Sequence, residues 1–309
     1  MQNLSANSRG AIFMTLAMAG YVFNDALMKL VSADLPLFQA ILIRGIIACV
    51  LMFFLTRYMG QLKLDKSLLV YVTNPAILLR TLGEALATFF FLTALFHMPI
   101  ANISAMMQLL PLTLTLGAAI FFGEKVGWRR YSAILVGFSG VLLIIQPGGD
   151  AYNVYSLYGL AAAASVTLRD LATRRLPQGV SSLSVSLLAA IVVTVMGAIG
   201  TFFETWQPVT TPHLLFLSGA AGILMVGYVF SILGMREGDV GFVSPFRYSI
   251  LLWAILLGYF VFDDIPTSLE ALGAFIVVGS GLFTFYRERL VERRAKKINS
   301  TTPQTGRIR

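Results

Sequence analysis

The chain is poor in the residues that build disulfides, metal centres and nucleophilic active sites. Cys49 is the single cysteine and lies in an apolar stretch, so an internal disulfide and a thiolate zinc cluster are excluded. The two histidines, His97 and His213, fall at the ends of different apolar stretches and lack metal-ligand spacing. A phosphate-binding G-x-x-x-x-G-K-[ST] loop and a G-x-S-x-G nucleophile elbow are also missing. We therefore expect no enzyme activity, no cofactor and no metal.

Charge is missing from long parts of the chain. The hydrophobic fraction is 57%, above the roughly 45–50% that is typical of soluble domains. The apolar residues form ten stretches, each close to the ~20 residues that cross a ~30 Å hydrocarbon core as a helix. We number them spans 1–10, with predicted bounds 11–31, 36–57, 75–97, 100–122, 130–146, 155–174, 180–203, 213–235, 239–262 and 266–286.

Positive charge is missing from every second loop. With the N-terminus in the cytoplasm, all the loop and tail Lys and Arg residues fall on one side, at Arg9, Arg57, Lys63, Lys66, Lys125, Arg129, Arg130, Arg174, Arg175, Arg236 and throughout the C-terminal tail. The opposite loops carry only acids, Asp34, Asp150, Glu204, Asp263 and Asp264. Because Lys and Arg stay in the cytoplasm, this predicts a multi-pass membrane protein with both termini cytoplasmic. The same sorting accounts for the net charge of +8, so we expect membrane lipid and no nucleic acid as a partner.

An internal repeat indicates the architecture. Glu124 of spans 3–4 aligns without a gap on Asp264 of spans 8–9, 140 residues later, and Asp25 of span 1 aligns near Asp170 of span 6. Two halves of five spans follow, 1–148 and 153–287, with a basic cytoplasmic tail at 288–309 whose last part, 295–309, we expect to lack structure. Five is odd, so the second half enters the membrane inverted. The predicted fold class is an all-α membrane protein of ten transmembrane helices in two inverted repeats.

A run in the first half resembles a known family. The segment ALFHMPIANISAMMQLLPLTLTLGAAIFFGEKVGWRRYSAILVGFSGVLLIIQPG is similar to the end of an EamA repeat of the drug/metabolite transporter superfamily, with Glu124 closing span 4 before a Gly-rich span 5. Asp264 takes the matching place in the second half. The opening RGAIFMTLAMAGYVFNDALMKLVS also resembles a proteobacterial branch that includes riboflavin importers. The resemblance implies ten helices, small-molecule transport and a location in the bacterial inner membrane.

Charged residues inside the spans predict a polar cavity, because charge is costly in the hydrocarbon core and normally faces protein or water. We expect spans 1, 3, 6, 8 and 9 to line it. Arg80 and Glu84 lie four residues apart on one helical face, which leaves a structural clamp and a proton-coupling site both open. Asp25–Lys29 and Asp170–Arg174 share this spacing. The predicted coupling or gating residues are Asp25, Arg80, Glu84, Arg169 and Asp170.

Polar residues at mid-span positions are the candidates for substrate binding. Arg44 and Arg247 lack an acid on the same helix at three or four residues, so we expect them to give the cavity positive potential. The full predicted set is Asn24, Arg44, Ser104, Gln108, Tyr228, Arg247, Tyr248 and Trp253. The alternative for Ser and Asn residues is hydrogen bonding between helices, which is worth about 0.6 kcal/mol on average.

These observations favour a secondary transporter that moves a small polar metabolite by alternating access, as a monomer or homodimer. Riboflavin uptake is the first substrate expectation and follows from the family resemblance. An amino-acid or S-adenosylmethionine-type carrier or exporter is the second. A non-transporting integral membrane enzyme or assembly factor is the alternative from a different class.

Overall fold

The computed structural model describes residues 5–60, 73–124, 127–148, 152–177, 180–237 and 240–301. Lys63, Lys66, Lys125 and Asp150, which contribute to the topology prediction, lie outside these ranges. Every regular element within them is helical. Eight spans are single helices, Ala6–Val31, Leu37–Tyr58, Pro75–His97, Trp128–Ile145, Tyr155–Thr173, Ser182–Gly200, Thr211–Glu237 and Ser268–Thr301.

Nine helices in the described part of the chain are long and apolar enough to cross a membrane. Span 6, Tyr155–Thr173, is the tenth helix, and its Arg169 and Asp170 lower its hydropathy. Its 19 residues still extend roughly 28 Å at 1.5 Å per residue. The predicted all-α fold of ten helices is confirmed.

Spans 4 and 9 differ from the prediction because each is a broken helix. Span 4 consists of Ile100–Met107 and Leu110–Phe122, and span 9 of Val240–Val243, a 3₁₀ turn at Ser244–Tyr248 and Ser249–Phe262. A proline inside a helix lacks the N–H that bonds to the carbonyl four residues earlier, and its ring crowds that carbonyl. Pro111 and Pro245 stand at the two breaks. The interruptions occupy matching places in the two repeats.

The helix pairing follows the two inverted repeats. Span 1 packs along span 8 and span 6 along span 3, and these two pairs exchange when the repeats are exchanged. Span 2 pairs with span 7 and span 5 with span 10. Spans 5 and 10 approach closely at Gly140 and Gly273. A Cβ on Gly140 would lie 2.8 Å from the carbonyl oxygen of Gly273, and a Cβ on Gly273 would lie 2.5 Å from that of Gly140. The main buried core draws residues from both repeats.

The helix of span 10 is longer than predicted. It begins at Ser268 and continues to Thr301, so the basic tail extends this helix well past the apolar stretch. This corrects the expectation that 295–309 lacks structure, as far as residue 301. Residues 302–309 lie outside the described part of the chain.

Candidate functional site

An ion network joins spans 3 and 6 between the two repeats. The Arg169 Nη1 atom lies 3.2 Å from Glu84 Oε2, and its Nε atom lies 2.9 Å from Asp170 Oδ1. Between a quarter and two fifths of each side chain is exposed. One guanidinium therefore holds two carboxylates in a partly wet environment.

Gly83 explains why Glu84 finds its partner on another helix. A Cβ at Gly83 would lie 2.9 Å from the backbone nitrogen of Arg169 and 3.0 Å from its Cα. Without that Cβ, span 6 approaches span 3 backbone to backbone, and Arg169 reaches the carboxylate of the next residue. The direct partner of Glu84 is therefore Arg169, whereas Arg80 acts on Glu84 only through space.

Arg80 points to span 7 instead. Its Nη2 atom donates a hydrogen bond to Ser186 Oγ over 3.2 Å, and its Nη1 atom is buried without a hydrogen-bond partner. Asp170 also differs from the prediction, because it accepts from Arg169 while Arg174 bonds to Glu124. Neither Arg80–Glu84 nor Asp170–Arg174 is thus a direct contact within one helix. Glu84 and Arg174 bind residues of other spans, and Asp170 binds its sequence neighbour.

Arg44 is the first member of a second row of hydrogen-bonded polar side chains. Its Nη1 atom donates to Asn24 Oδ1 over 3.1 Å, and Asn24 Nδ2 donates to Asp25 Oδ1 over 2.8 Å. Asn24 and Asp25 are both buried. The Arg44 Nε atom is buried and has no hydrogen-bond partner. Arg44 also lies close enough to Glu84 to interact electrostatically, which links this row to the ion network.

Tyr228 and Arg247 extend the site toward spans 8 and 9. Arg247 is exposed and Tyr228 is half-buried. Both lie within electrostatic reach of the Tyr21 hydroxyl, as does Arg169. The sequence reasoning missed Tyr21, although it stands four residues before Asp25 and so shares its helical face. We call Tyr21, Asn24, Asp25, Arg44, Arg80, Glu84, Arg169, Asp170, Tyr228 and Arg247 the central cluster.

The other four predicted binding residues have different surroundings. Gln108 donates to the carbonyl of Ser104 within span 4, and Ser104 is buried. Trp253 packs on the apolar cluster around Met14 and Val243. The Tyr248 ring faces span 10, where its hydroxyl lies against Gly281 and leaves no room for a Cβ on that residue. Of these four side chains, Tyr248 alone lies within electrostatic reach of an arginine of the central cluster, Arg247.

A cavity of about 470 Å³ lies beside the broken part of span 9. Tyr248 and Ser249 line it together with Asn102 of span 4 and Glu270 of span 10. Its remaining walls are mostly apolar. The cavity contains none of the arginines of the central cluster, so it is separate from the charged site.

Contacts between the repeats close the end of the bundle where span 1 ends. Asp34 bonds to His213 over 3.0 Å, and Gln39 exchanges hydrogen bonds with the backbone of Gln207. Glu204 accepts from the backbone N–H groups of Phe38 and Gln39 at the start of span 2. Burial raises the pKa of the Glu204 carboxyl above its ordinary value, and these hydrogen bonds partly oppose that rise.

Comparison with known proteins identifies the family to which the chain belongs. The model of the EamA-like transporter family matches residues 8–146 and 154–286. The chain belongs to this family. A solved crystal structure with a TM-score of 0.60 and 21% sequence identity covers 92% of this chain and 99% of its own, which supports the fold alone.

Three curated relatives differ in the substrate that their names give. An S-adenosylmethionine uptake transporter of Rickettsia bellii is 26% identical over 96% of this chain and 99% of its own length. A pseudopaline exporter of Pseudomonas aeruginosa is 25% identical over 87% and 93%, and a riboflavin transporter of Vibrio cholerae is 28% identical over 66% and 68%. The predicted family and transport class are confirmed. The chain is a membrane transporter of the EamA type.

Proposed function

We propose that the chain is a secondary transporter of the bacterial inner membrane that moves a small polar metabolite by alternating access. The inverted repeats and the broken helices at matching places support this, because such transporters build their site from discontinuous helices between the repeats. The one-sided basic residues support cytoplasmic termini. In this orientation the end of span 1, near Lys29, faces the periplasm, and the end of span 6, near Arg174, faces the cytoplasm.

We infer the substrate class from two guanidinium nitrogens that have no hydrogen-bond partner. Arg44 Nε and Arg80 Nη1 are both buried without a hydrogen-bond partner. Guanidinium groups bind carboxylates through paired, charge-assisted hydrogen bonds. The central cluster also holds four arginines against three carboxylates. We therefore favour a substrate that carries a carboxylate, of the amino-acid or S-adenosylmethionine type, and the relative in Rickettsia bellii agrees with this class.

Riboflavin is the second candidate. Tyr21 and Tyr228 lie within electrostatic reach of each other in the central cluster, and aromatic rings suit a planar ring system. The relative in Vibrio cholerae supports it. Riboflavin has no carboxylate, so its transport would not need the free nitrogens of Arg44 and Arg80.

Asp25 is the proposed coupling residue. Arg169 holds both Glu84 and Asp170 by ion pairs, whereas Asp25 accepts from the neutral amide of Asn24. A substrate carboxylate that binds Arg44 would draw this guanidinium away from Asn24 and change the surroundings of Asp25. We expect Asp25→Asn to keep substrate binding and to abolish uptake driven by an imposed pH gradient.

The test is uptake into proteoliposomes that contain only this protein. Labelled S-adenosylmethionine, methionine and riboflavin are compared for the wild type, Arg44→Ala, Arg80→Ala and the exposed control Arg57→Ala. Losing charge-assisted hydrogen bonds worth about 1.5–3 kcal/mol predicts a KM about 10- to 100-fold higher for Arg44→Ala and an unchanged KM for Arg57→Ala. Riboflavin uptake that is insensitive to Arg44, without uptake of the other two compounds, would reject the carboxylate class. No uptake of any compound in a wider metabolite panel would favour the non-transporting alternative.

A further inference from the structure

Two sets of contacts stand at opposite ends of the bundle and join the two repeats. At one end, Lys29 Nζ at the end of span 1 lies 3.9 Å from Asp264 Oδ2, directly after span 9. This contact is electrostatic, because Lys29 Nζ donates its hydrogen bond to the carbonyl of Met98 over 2.6 Å. At the other end, Arg174 Nη1 at the end of span 6 lies 3.2 Å from Glu124 Oε1, directly after span 4. Each set therefore pairs a base from the first helix of one repeat with an acid that follows the fourth helix of the other.

The aromatic neighbours of these pairs also correspond. Lys29 Nζ lies 5.4 Å from the centre of the Phe262 ring, and the Arg175 guanidinium lies 4.7 Å from the centre of the Phe122 ring. Phe122 and Phe262 are 140 residues apart, the same separation as Glu124 and Asp264. At the Lys29 end one cation meets both the acid and the ring, whereas at the Arg174 end Arg174 meets the acid and its neighbour Arg175 meets the ring. The acids and the rings stand at matching positions in the two repeats.

The backbone repeats this arrangement in detail. Gly123 and Asp263 end spans 4 and 9 with positive φ angles of 67° and 52°. The next N–H group bonds back to the carbonyl of Ala118 in span 4 and of Gly258 in span 9. Each position in span 4 is again 140 residues from its counterpart in span 9. Spans 4 and 9 therefore end in the same backbone conformation, and each end places its acid against the other repeat.

The two ion pairs differ in their exposure to solvent. The side chains of Lys29 and Asp264 are 15% and 29% exposed, whereas those of Arg174 and Glu124 are 46% and 53% exposed. Two ends that are related by an inverted repeat would be equally buried if both were closed to the same degree. The difference indicates that this conformation is closed at the Lys29 end and more open at the Arg174 end.

We propose that Lys29–Asp264 and Arg174–Glu124 are matched latches that hold the periplasmic and cytoplasmic ends of the transporter. This inference rests on the alternating access in the proposed function. When the repeats exchange conformations, the pair near Arg174 becomes buried and the pair near Lys29 becomes exposed. The four residues are positioning residues, because they set which end opens and lie away from the central cluster.

Distances between spin labels test the latches without any substrate. In a Cys49→Ser background, labels at Ala33→Cys and Ile265→Cys report the Lys29 end, and labels at Ile120→Cys and Thr173→Cys report the Arg174 end. We expect Asp264→Asn to increase the long-distance population at the Lys29 end alone. Glu124→Gln should do so at the Arg174 end alone. The exchange of charges in Arg174→Glu with Glu124→Arg should restore the short distance.

The matched control is Glu237→Gln. Arg9 and Glu237 form a 2.7 Å ion pair at the Arg174 end, but spans 1 and 8 approach closely there through Gly234 and the backbone of Gly10, so this contact is not expected to open. An equal effect of all three variants on both distances, or no effect of Asp264→Asn and Glu124→Gln, would overturn the latches. Because no substrate is added, that outcome leaves the carboxylate proposal standing, and a failed uptake assay leaves the distances informative.

Discussion

The contact between spans 3 and 6 at Gly83 gives the sharpest prediction. Gly83→Ala places a methyl group 2.9 and 3.0 Å from backbone atoms of Arg169, and real Cβ atoms stay several tenths of an ångström farther away. Backbone atoms cannot turn away as the end of a side chain can, so spans 3 and 6 must separate. Overpacking of this kind costs about 1–3 kcal/mol, against a gain of up to about 1 kcal/mol from the helix propensity of alanine. The separation also moves Arg169 away from Glu84.

A series of glycine variants separates steric contact from propensity. At Gly117 the added methyl group would meet the end of the Leu171 side chain at 2.7 Å, which can turn away, so Gly117→Ala should cost less. At Gly222 nothing lies within 4 Å, so Gly222→Ala should be neutral or slightly stabilising. The measurements are thermal unfolding in detergent and uptake in proteoliposomes. Equal stability and uptake for Gly83→Ala and Gly222→Ala would refute the close approach and the origin of the Arg169–Glu84 pair.

Three further predictions concern single side chains. Asp263 has a φ of 52°, so Asp263→Gly should stabilise the protein by up to about 1 kcal/mol, and an unchanged or lower midpoint in thermal unfolding would contradict this. Arg169→Gln leaves two carboxylates unpaired and should lower the free energy of unfolding by about 1–3 kcal/mol, less than in a fully buried network because the groups are partly exposed. A double-mutant cycle with Glu84→Gln should show coupling between the two residues. Strictly additive effects would contradict the Arg169–Glu84 ion pair. The raised pKa of Glu204 means that its stabilising contribution is full below the ordinary value of about 4.3 and is lost as the pH rises through the folded value. Relative to Glu204→Gln, the wild type should lose a small amount of stability over that range, whereas a constant difference would show that the shift is absent.

The sequence predicted the number of helices and the presence of a charged site, because both depend on the cost of charge in a bilayer. It did not predict the partner of Glu84, since spacing along one helix shows only neighbours on that helix. The decisive feature was Gly83, whose missing side chain admits span 6. The broken helices were open to prediction from Pro111 and Pro245, which stand inside apolar stretches, but the length of those stretches favoured continuous helices.

The repeat symmetry also explains why the two aspartates of the central cluster, Asp25 and Asp170, differ. Asn24 donates to Asp25 and Arg169 donates to Asp170, and each donor and acceptor is 145 residues from its counterpart. The same local contact is built twice, once with a neutral amide and once with a guanidinium that also binds Glu84. A guanidinium bonds directly to Asp170, whereas Asp25 accepts from an amide that Arg44 also uses and meets the Arg44 charge only through space. Asn24 in the first repeat stands where the second repeat has Arg169. Because of this difference, a bound substrate can change the surroundings of Asp25 more readily than those of Asp170. We therefore assign coupling to Asp25.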